Sequence, residues 1–334
     1  MRLQVFLLTL HHIIYIEDRH QMEKDYFTQT LTETVKALSQ SDSLNGLCLQ
    51  HRDSHPLPSG ETLNEVIALA RAILFPGYYG ESTINTKTIS YHIGVNMERL
   101  QKLLEGQIFA ALCIADCSEQ IDAEVKLARQ KKVETLATKF IMRLPTIREM
   151  LGKDIEAAYN GDPAAESLVE IICCYPALKA LINYRLAHEL YLLEVPLIPR
   201  MMSEQAHSET GIDIHPGATI GEYFTIDHGT GVVIGATCII GNNVKLYQGV
   251  TLGARSFPLD KAGNPIKGIP RHPIIGDNVV IYSNATVLGR ITIGSDCVIG
   301  ANTWVQDDMR PKTKKYKKIK KDSLDIQYNN GTGI

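Results

Sequence analysis

The stretch Ile275–Val305 reads I-G-D-N-V-V-I-Y-S-N-A-T-V-L-G-R-I-T-I-G-S-D-C-V-I-G-A-N-T-W-V. An aliphatic residue returns at every sixth position: Ile275, Ile281, Val287, Ile293, Ile299 and Val305. The same register governs Ile234, Ile240, Leu246 and Leu252, and before them Ile214, Ile220 and Ile226. Four places after most of these leads stands a small or β-branched residue, among them Ala218, Cys238, Val250, Ala285 and Cys297. A period of six fits neither a helix nor an alternating strand; it predicts a parallel β-helix that turns a corner every six residues. The leads stack inside, coil above coil, and the glycines that often follow them ease tight corners. Val/Ile-rich strands of an ordinary sandwich are the competing reading, which thirteen leads in phase with two breaks disfavour.

The breaks are informative. Around His228–Val233 the register slips by two residues. Between Ala254 and His272 a Pro-, Gly- and charge-rich loop interrupts it. A solenoid lets a loop leave at a corner without disturbing the stack, and such loops commonly form the binding face.

Upstream, the pattern is helical. Phe27, Leu31, Val35 and Leu38 within residues 24–42 have helical spacing, as do Leu63, Val66, Ile67, Ala70 and Leu74 before Pro76-Gly77. Further helices are expected over Thr86–Leu104, Ile121–Arg143 (ending before Pro145), Ala164–Cys174, Pro176–Leu193 and Pro196–His207. The expected organisation is an apolar N-terminal extension (1–20), an all-α domain (21–207), a β-helix (208–309, with loop 254–272) and a tail (310–334) that is first lysine-rich, then polar. Packing or oligomerisation is the expected role of the helices, since nothing before Asp162 suggests chemistry.

Bulk properties bound the function. The 334 residues carry a net charge of −3, which gives the whole molecule no pull toward nucleic acid. One lysine run without interleaved aromatics is a solvated tail or a site for phosphates, not a nucleic-acid site. Seven cysteines, an odd number with Cys173 and Cys174 adjacent, do not form a disulfide framework, and a reducing cytoplasm is the expected compartment. His11 and His12 interrupt the apolar N-terminus and no small-residue cleavage site follows, so a signal peptide is the lesser alternative. No run reaches membrane-spanning length. Cys113 and Cys117 lack completing ligands, and His215, His228 and His272 lack zinc-site spacing, so no metal is expected. Cys238 and Cys297, in inward slots, are expected to be buried and inert.

Polar residues at the disturbed coils are the candidate chemistry: Asp213 and His215 in D-I-H-P, Asp227 and His228 in D-H-G-T-G, Arg271 and His272 in R-H-P. A histidine near carboxylates can act as a general base near neutral pH. Each residue alone is more often a hydrogen-bonded structural feature; their concentration at two breaks makes a site an equal alternative.

The segments D-I-H-P (213–216), D-H-G-T-G (227–231), Q-G-V-T-L-G (248–253) and R-H-P-I-I-G (271–276) resemble serine O-acetyltransferases. So do G-D-P-A (161–164) and Y-P-A-L-K-A-L-I-N-Y-R-L-A-H (175–188). The resemblance spans Asp162 to Val305 and implies a left-handed β-helix, assembled as a homotrimer or a dimer of trimers with sites between neighbouring coils. It implies acetyl transfer from acetyl-CoA to the L-serine hydroxyl. By resemblance His228 is the general base and Asp213 its orienting partner. Asp162 and Asp227 would hold the substrate ammonium, Arg271 its carboxylate, and His272 a further substrate contact. The acetyl-CoA arm would lie near Thr251, Gly253, Ala285 and Ala301, with backbone N–H groups near Thr251–Ala254 as oxyanion donors, although each small residue there serves corner packing equally well. The segment M-R-P-K-T-K-K-Y stands where most of the family has G-V-P-A-R. The end at Ile334 resembles tails that dock on O-acetylserine sulfhydrylase, and L-cysteine is an expected feedback inhibitor. An acetyltransferase for a sugar or amine, or a non-catalytic partner of the sulfhydrylase, are the alternatives. The pair Asp162 and Arg271 argues against a sugar, and the intact set His228, Asp213 and Arg271 against the non-catalytic reading.

Overall fold

The computed structural model describes residues 2–40, 57–81, 83–116 and 123–317, with side chains for 20–40, 57–81, 83–114 and 124–317. The chain divides into two units, Met1–His55 and Pro56–Ile334. In the first, α1 (Arg2–Leu38) is a single helix whose Phe27, Leu31, Val35 and Leu38 are all exposed.

The second unit begins with six helices: α2 (Gly60–Leu74), α3 (Ile89–Asp116), α4 (Ala123–Gly161), α5 (Leu168–Cys174), α6 (Pro176–Leu192) and α7 (Ile198–Thr210). Ser59 caps α2 by accepting from Thr62 N, and Ser167 caps α5 by accepting from Glu170 N, as short hydroxyl side chains do at helix starts. The expected stop before Pro145 does not occur: α4 runs through it. Pro145 lies on the exposed side, while Phe140, Leu144, Ile147 and Leu151 bury one stripe to 2% exposure or less. Burying each such side chain is worth about 1.5–3 kcal/mol, enough together to outweigh the roughly 3 kcal/mol cost of an interior proline.

The solenoid follows as five coils. The first holds β1 (Asp213–Ile214), β2 (Thr219–Ile220) and β3 (Thr225–Asp227); the second β4 (Val233–Ile234), β5 (Ile239–Ile240) and β6 (Lys245–Tyr247). The third holds β7 (Thr251–Gly253), β8 (Ile274–Ile275) and β9 (Val280–Ile281); the fourth β10 (Thr286–Leu288), β11 (Thr292–Ile293) and β12 (Val298–Ile299). The fifth holds β13 (Trp304–Val305) and β14 (Lys314–Lys315). Parallel pairing makes three walls, ordered β1-β4-β7-β10-β13, β2-β5-β8-β11 and β3-β6-β9-β12-β14. In the first wall Ile214, Ile234, Leu252, Val287 and Val305 stand in register and are at most 3% exposed. The six-residue leads are therefore the interior column, as the sequence predicts.

The prism outlasts its sequence signature. Met309 bridges to Ile293, and Lys314–Lys315 pair with Val298–Ile299, so the coil continues into the start of the lysine run. A capping coil does not need an aliphatic lead on every wall.

The glycines also act differently from expectation. Gly221, Gly241 and Gly276, each directly after a lead, have no positive φ; a Cβ there would run into the next coil's corner. The left-handed residues at the corner between the second and third walls are Tyr223, Asn243, Asn278, Asp296 and Lys312, one per coil. Asn and Asp are the side chains that best tolerate that conformation.

Helices and solenoid are joined by polar contacts. Arg185 forms a two-pronged pair with Asp154 (2.7 and 2.9 Å) and donates to Gly221 O at 3.0 Å. Asp154 also accepts from Phe224 N. Tyr184 donates to Ala218 O at 2.7 Å, and His188 Nδ1 contacts Pro216 O at 2.7 Å. Among the described residues, no helix is long and apolar enough to cross a membrane.

Candidate active site

Successive leads in one wall are 18 residues apart in a regular coil, but Ile214 and Ile234 are 20 apart. The two extra residues form a bulge at the corner between β3 and β4. His228 sits on that bulge with φ +58°, followed by Gly229 at φ +93°. The bulge pushes the imidazole out: its side chain is 64% exposed, against 14% for Asp227. His228 Nε2 lies 3.7 Å from Asp227 Oδ1.

Asp162, just past the end of α4, joins this corner. Its carboxylate accepts from Tyr175 OH at 2.6 Å and from Ala164 N at 2.8 Å. The Tyr175 hydrogen bond, the Ala164 amide and the nearby charges of Lys245 and His228 hold it below the usual carboxylate range. Lys245 Nζ lies 3.2 Å from Asp227 Oδ2 and donates to Gly161 O at 2.7 Å. Three of the expected residues, Asp162, Asp227 and His228, thus meet at one corner. Tyr175 and Lys245 complete it, and the sequence reading assigned a role to neither. The G-D-P-A…Y spacing carried a signal for Tyr175; a lone lysine in a repeat carries none.

Asp213 departs from expectation. His228 Nε2 lies near Asp227, and Asp213 forms no ion pair or hydrogen bond with His228 among the described residues. Its carboxylate instead faces α7, where ligand atoms of Glu204, His207 and Asp213 lie within 4.8 Å of one another. These three are the group among the described residues that could hold a metal ion, although Glu204 already pairs with Arg200 and His207.

Arg271 and His272 occupy another edge of the prism. The loop leaves after β7 and returns at β8, on the corner between the first and second walls. Thr237 pins its exit: Thr237 Oγ1 accepts from Arg271 N (2.9 Å) and His272 N (3.1 Å). Thr237 N donates to His272 Nδ1 at 3.1 Å, so that nitrogen is an acceptor and Nε2 carries the proton. The ring packs over Gly235, where a Cβ would collide with it. Burial, with Arg271 and Arg290 nearby, lowers the His272 pKa to about 4. His215 at the same corner is likewise lowered to about 4, by burial first and then by Arg200, His272 and Arg271. Its Nδ1 accepts from Gly217 N at 2.9 Å. Both rings are neutral at pH 7 and present Nε2–H as a donor. Arg271 lies 5.9 Å from the Phe257 ring centroid, its Nε buried without a partner. Arg290 braces the corner by donating to Thr237 O and His272 O.

The residues expected along acetyl-CoA fare unevenly. Ala285 is fully buried; its amide donates to Tyr282 O and its carbonyl accepts from Thr251 N at 3.0 Å. It is an interior packing residue, and the Thr251 amide is spent within the solenoid rather than free for an oxyanion. Gly253 is half-buried beside Leu288, and Ala301 is exposed at a corner. Cys238 and Cys297 are buried, and burial pushes the Cys238 thiol up to about 12, which fits an inert packing role. Ile334 lies outside the described residues.

The model for bacterial transferase hexapeptide repeats (six repeats) matches residues 272–307. A serine acetyltransferase of Synechococcus elongatus, described as plasmid-borne, is 46% identical over 277 residues, which cover 82% of this chain and 86% of the relative. The chain belongs to the serine acetyltransferase family. A Bacillus subtilis serine acetyltransferase is 46% identical over 160 residues, 48% of this chain and 70% of the relative. Among solved structures, Entamoeba histolytica serine acetyltransferase 1 in complex with L-cysteine aligns with a TM-score of 0.65 at 37% identity, over 80% of this chain and 90% of that one. As a serine acetyltransferase the chain is an acyltransferase of the hexapeptide class.

Proposed function

We propose that the chain transfers acetyl from acetyl-CoA to the hydroxyl of L-serine, giving O-acetyl-L-serine and CoA for cysteine synthesis. The observation that carries the reading is the corner where two carboxylates, Asp162 and Asp227, flank an exposed imidazole, His228. Two acids suit an ammonium group, and the Arg271 fork suits a carboxylate. His228 takes the hydroxyl proton as the serine oxygen attacks the thioester carbon. The tetrahedral intermediate then expels the CoA thiolate, which recovers the proton from His228. A positioned base of this kind contributes about 10²–10⁴-fold. Holding both substrates together supplies much of the remainder without an acyl-enzyme. His272, a neutral Nε2–H donor, is placed to bind the substrate carboxylate or developing oxyanion charge.

The His228 corner and the Arg271–His272 corner belong to different edges of one prism. A site that uses both is completed by a neighbouring copy, which supports a homotrimer as the functional unit. Gly253 and Ala301 remain the positions for the acetyl-CoA arm, with Lys312, Lys314 and Lys315 of the last coil available to its phosphates. L-Cysteine shares the ammonium and carboxylate of L-serine and would compete at the same groups. Docking of the Ile334 end on O-acetylserine sulfhydrylase and a cytoplasmic location complete the reading.

Thiol release from acetyl-CoA, measured with L-serine and with a panel of sugars, tests it. Release that depends on L-serine is expected; release that ignores L-serine or prefers a sugar would overturn it.

A further inference from the structure

The two carboxylates of the proposed ammonium site come from different parts of the fold. Asp227 ends β3, while Asp162 follows the last residue of α4. The Tyr175 and Ala164 contacts of Asp162 both lie within the helical region, so neither fixes it against the coil. The ties of α4 to the first coil, Lys153 to Glu222 and Asp154 to Phe224 N, are made earlier in the helix. At 1.5 Å per residue, Asp154 lies about 12 Å back along the helix from Asp162. One side chain spans the remaining gap. Lys245 rises from β6, the strand paired with β3 in the coil above, and reaches both Gly161 O (2.7 Å) and Asp227 Oδ2 (3.2 Å).

We propose that Lys245 is a positioning residue for the substrate ammonium: it clamps the Asp162 segment to the Asp227–His228 corner and so fixes the spacing of the two carboxylates. This rests on the serine reading above. The lysine is suited to the role because it is held itself. Its side chain is 16% exposed, and the ammonium sits 4.7 Å from the centre of the Tyr247 ring. Its charge also matters. Two carboxylates at one corner repel each other, and one fixed cation leaves a single net negative charge for one substrate ammonium to balance. The opposing effect, repulsion between Lys245 and that ammonium, predicts the reverse outcome and can be separated by experiment.

The test compares the wild type with Lys245→Met, which keeps the apolar stem, and Lys245→Arg, which keeps the charge. Two constants are read: KM for L-serine, and KI for 3-hydroxypropanoate, the analogue that lacks the ammonium. In Lys245→Met the KM for L-serine should rise about tenfold, as for one lost charge-assisted hydrogen bond, while the KI stays within about twofold. Lys245→Arg should restore most of the KM. If the Met variant fails to fold, Lys245→Gln, which keeps a donor for Gly161, should show the same split. Constants that move together, that do not move, or a KM that falls would overturn the proposal. Absence of L-serine-dependent thiol release in the wild type would instead sink the serine reading.

Discussion

At the scale of the residue, His228 combines two demands at one position. It is the expected base, and its φ of +58° puts it in the left-handed region. Replacement by Ala removes the imidazole and also leaves an unsuited residue there, a strain of about 1 kcal/mol or more. Asn tolerates the conformation. His228→Asn should therefore lose about 10²–10⁴-fold in kcat while melting near the wild type, and His228→Ala should lose as much kcat and melt lower. Steady-state rates and thermal melts of both variants check this; full turnover by either would remove His228 from the mechanism. Legibility differed sharply among the site residues. Asp227 and His228 stood out because they fall at a break in a strict repeat, and such a break is visible; Asp162, in the helical region, was pointed to by the family resemblance alone. For Asp213 the sequence showed a place beside a disturbed coil but not its neighbours, which in the structure are Glu204 and His207 of α7. Lys245 was hidden because an outward position of a coil accepts almost any polar residue. Ala285 was open between two readings, since a small residue in an inward slot looks the same whether it makes room for a ligand or fills the core; it is fully buried.

At the scale of the element, the strands were legible and the ends were not. Every aliphatic lead from Ile214 to Val305 lies in the interior column, since only a stacked coil makes one residue in six meet its own kind. Only the end of the last coil, beyond Met309, was missed, because its third wall uses Lys315 where earlier coils use Ile or Leu. Pro145 misled for a related reason: local propensity was overruled by the buried stripe of α4. The junction between α4, α6 and the first coil depends on the buried Arg185–Asp154 pair, 4% and 0% exposed. Removing one partner leaves an uncompensated charge, so Arg185→Met should destabilise by about 3–5 kcal/mol. The double variant Arg185→Met/Asp154→Asn leaves no charge and keeps an acceptor for Phe224 N. Its urea midpoint should lie above that of the single variant, and equal midpoints would contradict this account of the junction.

At the scale of the whole molecule, the proposed reaction draws on two different edges of the prism. The two-residue bulge places His228, with Asp227 and Asp162, between the third and first walls. The inserted loop places Arg271 and His272 between the first and second. A three-sided solenoid keeps these edges apart, so on the proposed reading a site that needs a base, two acids and a carboxylate fork would be shared between copies. Co-expression of two inactive variants, His228→Asn and Arg271→Ala, tests that sharing most directly. Each alone should be nearly inactive. Together, mixed assemblies should recover roughly a quarter of wild-type thiol release, the share of edges that join two intact halves in random closed rings. Activity no greater than that of the separate variants would mean that the two corners do not serve one site across an interface.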